Sequence, residues 1–102
     1  MLFRSGGIAL AHMIEKRYEE AIEWADRSLH ERPRIAMALR IRVASYAHLG
    51  RMPEAHQGLA RLLELDQGLT IGRVKAYLTM VLSPETLAVY LEGLRKAGLP
   101  EE

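Results

Sequence analysis

The chain matches itself at a distance of 34 residues. KRYEEAIEWADRSLHERP, from Lys16, aligns with GRMPEAHQGLARLLELDQ, from Gly50. Arg17 falls on Arg51, Glu20 on Glu54, Ala21 on Ala55 and Leu29 on Leu63, while Pro33 falls on Gln67. The segments before these agree less closely, with Ile8 on Arg42 and His12 on Tyr46. A fixed period of this length signals supersecondary units that bury their apolar faces only against their neighbours. A chain of 102 residues holds one modest core of this kind, as a single domain.

Local signals predict helices throughout. From Tyr18 to Arg32 the residues Tyr18, Ala21, Ile22, Ala25, Ser28 and Leu29 recur three and four apart. Glu19, Glu20 and Glu23 fill the first turns and Arg27, His30 and Arg32 the last, which complements the helix dipole, and Pro33 stops the helix. The next helix runs from about Arg34 to Leu49 and ends at Gly50. Pro53 suits the first turn of the one after it, which buries Ala55, Leu59, Leu62 and Leu63 and ends near Leu65. A fifth helix fits Thr70 to about Leu82. Ser83-Pro84-Glu85 then reads as N-cap, first-position proline and first-turn acid of a sixth, Pro84 to Ala97. This last helix carries Leu87, Tyr90, Leu91, Leu94 and Ala97 on one face, followed by Gly98 as its left-handed stop and Leu99 as the apolar contact beyond. No segment reads as a strand. The connections are short, so consecutive helices are expected to pack antiparallel.

The segments around Ala21 and Ala55 resemble the tetratricopeptide (TPR) family. Tyr18, Ala21, Ser28, Leu29 and Pro33 carry the match in the first repeat, and Tyr46, Gly50, Ala55, Leu59 and Leu62 in the second. Arg42 and Val43 stand where the family usually places a large and then a small residue, and Lys16 stands where a turn glycine is usual. The resemblance implies an all-α, TPR-like solenoid of about two and a half repeats: repeat 1 over about 2–35, repeat 2 over about 36–69, and a third helix pair over about 70–98 that ends in a capping helix. ALRIRVASYAHLGRMPEA and LAVYLEGLRKAGLPEE are similar to carboxy-terminal TPR regions of bacterial signalling proteins, class III adenylate/guanylate cyclases among them. Cyclases of that class use paired metal-binding aspartates on a sheet. Asp26 and Asp66 are the only aspartates here, and both lie in helical contexts.

Composition and motifs narrow the chemistry. Without cysteine there are no disulfides, thiolate metal sites or thiol nucleophiles. Fourteen basic against 13 acidic residues leave a formal charge of +1, which creates no field for a polyanion. No apolar run approaches the ~20 residues of a membrane span, and the opening MLFRSGGIAL lacks the features of a secretory signal. A cytoplasmic chain is expected. His12, His30, His48 and His56 include no pair three or four apart, so no local metal chelate is expected. Ser5-Gly6-Gly7 lacks the rest of a phosphate loop, and Ser5, Ser28, Ser45 and Ser83 lack a nucleophile elbow. Arg32, Arg34, Arg40 and Arg42 cluster in sequence, but Arg40 and Arg42 lie about 200° apart around a helix. No aromatic residues interleave with them, so they read as a solvated or ion-paired face and not as a nucleic-acid site. Trp24 reads as packing.

No catalytic set, metal or cofactor is therefore expected, and function falls to a surface. TPR arrays bind partners on a concave face lined by the first helix of each repeat. The resemblance places there Phe3, Leu10, Met13 and Ile14, then Met37, Arg40, Ile41, Ala44 and His48, then Val74, Lys75 and Leu78. This row is mostly apolar, and an acidic peptide tail does not suit it. The final helix, a second copy or a partner helix would have to cover it. The expectation is a protein-interaction module, a homodimer as an isolated chain, with homodimerisation of attached catalytic or DNA-binding domains as the alternative.

Overall fold

A computed structural model describes the backbone of residues 2–102 and the side chains of residues 6–102. Phe3 of the expected binding face lies outside the described side chains. Six helices follow one another: α1 (Leu2–Ile14), α2 (Tyr18–Glu31), α3 (Ala36–His48), α4 (Met52–Leu65), α5 (Ile71–Leu78) and α6 (Pro84–Ala97). There is no strand among the described residues.

The 34-residue offset is reproduced in backbone detail. Both bounds of α3 lie 34 residues after those of α1, and those of α4 after those of α2. α1 and α3 end in the same Schellman motif. Lys16 N–H bonds the Met13 carbonyl and Arg17 N–H that of His12; Gly50 N–H bonds the Ala47 carbonyl and Arg51 N–H that of Tyr46. The left-handed residue is Lys16 at φ 62° in one case and Gly50 at φ 76° in the other. α2 and α4 both begin without a side-chain cap, after Arg17 (φ −93°, ψ 70°) and Arg51 (φ −86°, ψ 71°). They end at Arg32 and Asp66, whose N–H groups bond the carbonyls of Ser28 and Leu62.

Small residues set the close spacing of the hairpins. Ala21 and Ala25 of α2, Ala38, Ala44 and Ala47 of α3, and Ala55 of α4 are all buried. Met13, Ile41, Val43 and Leu62 fill the remaining space. Complete burial of each such aliphatic side chain contributes ~1.5–3 kcal/mol. α1 packs on α2, α2 on α3 and α3 on α4.

The third helix pair departs from this pattern. The short connection predicts that α5 packs on α4, but among the described residues it makes no close backbone approach to α3 or α4 and rests on α6. Two causes are visible. α6 lies across α3, and its end reaches α4, where a Cβ on Gly98 would stand 3.8 Å from Leu59 Cδ2. The carboxy-terminal tail then holds the start of α5: Ile71 N–H bonds the Pro100 carbonyl and Gly72 N–H the Glu101 carbonyl, at 2.8 and 3.1 Å. These bonds satisfy two of the amide groups that a helix start leaves unpaired. Leu69, Ile71, Val74 and Leu99 close this second part of the core. α5 stops at Leu78, short of the expected Leu82, and the chain turns through residues 79–82 to reach Ser83. Because α6 folds back, the molecule measures 33 × 27 × 24 Å and is not an elongated array.

Candidate functional site

The expected binding face of α3 is the surface on which α6 sits. α6 is well defined at both ends. Ser83 Oγ accepts from Thr86 N–H, and Pro84 occupies the first turn. Gly98, at φ 106°, terminates the helix, with Gly98 N–H on the Arg95 carbonyl and Leu99 N–H on that of Leu94. Its buried residues, Leu87, Tyr90, Leu91, Gly93, Leu94 and Ala97, form the single apolar face that the sequence shows.

Gly93 fixes how closely the two helices approach. A Cβ there would lie 2.6 Å from Ala44 Cβ and 2.8 Å from its Cα and carbonyl oxygen, so only glycine fits against Ala44. Polar contacts flank this crossing. Arg40 Nε donates to the Tyr90 hydroxyl at 2.9 Å. His48 Nε2 donates to the Val89 carbonyl at 2.8 Å, and Lys96 Nζ donates to His48 Nδ1 at 3.3 Å. A carbonyl only accepts and an ammonium only donates, so these partners place the ring hydrogen on Nε2. Tyr18, at the start of α2, stacks on the His48 ring at 4.8 Å between centroids and 16° between planes. Burial raises the pKa of the Tyr90 hydroxyl, with the Arg40 guanidinium opposing part of that rise. Desolvation also raises the pKa of the Tyr18 hydroxyl.

The structure divides the expected row. Met13, Ile41, Ala44 and Val74 are buried in the core. Arg40 and His48 are half-buried, bonded to α6. Leu10 and Met37 are half-buried, and Ile14 remains 42% exposed. Lys75 is exposed and Leu78 half-buried on α5, which has no close approach to α3, so the three segments do not form one continuous surface. Arg42 turns the other way, pairing with Asp26 at 2.9 Å and lying over the Tyr46 ring. Trp24 is half-buried, with the Arg27 guanidinium 4.3 Å from its ring centroid.

Two cavities flank α6. One, of about 370 Å³, lies between α5 and α6 and includes Lys75, Thr79, Leu87 and Leu91. The other, of about 580 Å³, lies where the α1–α2 turn faces α6 and includes Lys16, Tyr18, His48, Val89, Glu92 and Lys96. Among the described residues no group of three or more His, Asp or Glu side chains could hold a metal ion. No described helix is long and apolar enough to cross a membrane. The sequence marks Tyr18 only as part of the α2 apolar stripe and the repeat match, and neither Gly93 nor Lys96 stands out in those patterns. A glycine inside a helix is disfavoured by ~1 kcal/mol, so Gly93 in α6 is itself a signal of a close crossing.

No family model, no curated protein and no solved structure matches the chain.

Proposed function

We propose that this chain is a non-catalytic protein-interaction module built on TPR-like hairpins. The observation that carries this reading is the seating of α6 on α3. A face made of Arg40, Ile41, Ala44 and His48 accepts an amphipathic helix, with a glycine–alanine crossing and two flanking hydrogen bonds. Helix-in-groove recognition works through the same physics, with apolar anchors three and four residues apart. A partner helix with a small residue at the crossing would compete with α6 for this face. The cytoplasmic carboxy-terminal region of a bacterial signalling protein, such as an adenylate or guanylate cyclase, is the setting that the sequence resemblance suggests. Catalysis would then reside in another part of such a protein.

A second reading is homodimerisation that brings attached domains together. The observation favouring it is the apolar group at the α5–α6 turn, where Tyr77, Met80 and Val81 are 48%, 92% and 73% exposed.

A labelled peptide spanning residues 83–102 tests the first reading by fluorescence anisotropy. Saturable binding to the chain, abolished by Ala44→Leu, is expected; absence of binding to both the native chain and Gly93→Leu, which unseats α6, would contradict it. Light scattering over a wide concentration range tests the second. A dimer is expected if the reading holds, and a monomer at every concentration would end it.

A further inference from the structure

The cavity between the α1–α2 turn and α6 joins two observations that the helix-binding role does not use. The first is a lysine in a backbone conformation that favours glycine. Lys16 adopts φ 62°, and the equivalent position in the second hairpin is Gly50 at φ 76°. The same turn forms in both places with the same hydrogen bonds, so the fold itself would be better served by glycine at residue 16. Such a disfavoured residue points to a use for its side chain.

The second observation is the charge around the cavity. Lys16, Arg95 and Lys96 contribute three cations and Glu92 one anion. Arg95 is engaged by Glu101 at 2.7 Å and Glu92 at 3.8 Å, which accounts for the carboxylate. Lys96 bonds the His48 ring, and neither Lys16 nor Lys96 pairs with a carboxylate among the described residues. Two ammonium groups that pair with no carboxylate among the described residues therefore border one cavity, whose single carboxylate, Glu92, faces Arg95. The site is a solvent-open cleft of about 580 Å³, wide enough to admit a small anion.

We propose that this cavity binds a small phosphate monoester, with its dianionic head between the ammonium groups of Lys16 and Lys96. Lysine serves phosphate as a point charge and needs no bidentate geometry. A dianion matches two such charges, whereas a single carboxylate leaves one unmatched. The ester group occupies the remaining volume beside Tyr18 and Val89. Five of the eight lining residues belong to α6, so the site exists while α6 is seated on α3 and is lost to a partner helix that displaces it.

The test is a ¹⁵N chemical-shift titration of the full chain with phenyl phosphate, at ionic strength held constant with sodium chloride. Saturable shifts of the Lys16, Tyr18, His48, Val89 and Lys96 amides are expected. Lys16→Gly keeps the turn and removes the ammonium, so it should weaken binding at least about tenfold without lowering the melting temperature. Lys96→Met should weaken binding similarly, and Lys75→Met, at the other cavity, should leave it unchanged. Shifts that stay linear with concentration would overturn the proposal. So would unaltered binding by Lys16→Gly, or sodium acetate saturating the same amides equally tightly.

Discussion

Gly93 of α6 meets Ala44 of α3 so closely that a Cβ on the glycine would stand 2.6 Å from the alanine Cβ and 2.8 Å from its carbonyl oxygen. The obstructing atoms include backbone, which cannot rotate away. Gly93→Ala should therefore destabilise the fold by about 1–3 kcal/mol, the usual cost of overpacking. Gly7 provides the opposite case, because a Cβ there would meet nothing within 4 Å. Gly7→Ala should stabilise α1 by about 1 kcal/mol through helix propensity alone. Urea denaturation of the two variants should give free-energy changes of opposite sign.

Lys16 and Gly50 are equivalent residues in one turn with different backbone costs. Lys16→Gly should raise stability by about 1 kcal/mol, and Gly50→Ala should lower it by about 1–2 kcal/mol. For a domain of this size 1 kcal/mol corresponds to a shift of about 4–8 °C in melting temperature, which thermal unfolding resolves.

Ser45 is fully buried, and its Oγ has no hydrogen-bond partner. A buried hydroxyl left unpaired costs about 1–3 kcal/mol, so Ser45→Ala should match or exceed the parent in stability. Denaturant titration at constant slope checks this, since an unchanged slope shows that the unfolding transition is the same.

The alkaline limb of stability should report on Tyr90. Burial raises the pKa of its hydroxyl, against a partial opposing effect of Arg40. The folded state therefore holds this proton more tightly than the unfolded state. The corresponding stability is fully present below the ordinary tyrosine value of about 10 and is lost as pH rises through the folded value. Tyr18, raised by desolvation, adds in the same direction. Tyr90→Phe should cost about 1 kcal/mol at neutral pH, where the Arg40 bond is lost, and should flatten the decline of melting temperature above pH about 10.

Much of this fold is legible locally. The 34-residue offset corresponds to matching helix bounds, matching turns at Lys16 and Gly50, and matching exits at Arg32 and Asp66. Ser83 and Gly98 announce the two ends of α6, because caps depend on residues within one turn of the terminus. The docking of α6 is less legible. The apolar face of Leu87, Tyr90, Leu91 and Leu94 shows that the helix must be covered, but periodicity does not say by what. Steric fit between Gly93 and Ala44, 49 positions apart, decides the location. Along α3 the row of Arg40, Ala44 and His48 falls on the face that meets α6, at positions that hairpin equivalence specifies. The α5 residues Val74, Lys75 and Leu78 do not extend that face, because the tail carbonyls of Pro100 and Glu101 anchor α5 against α6 and not beside α3.

The most direct measurement is the nuclear Overhauser effect between the Gly93 α-protons and the Ala44 methyl group, recorded on uniformly labelled protein and on a mixture of labelled and unlabelled chains. A strong cross-peak within one chain, and none between chains, is the result predicted for α6 seated on its own α3 face. A missing cross-peak, or one that appears only between chains, would contradict it.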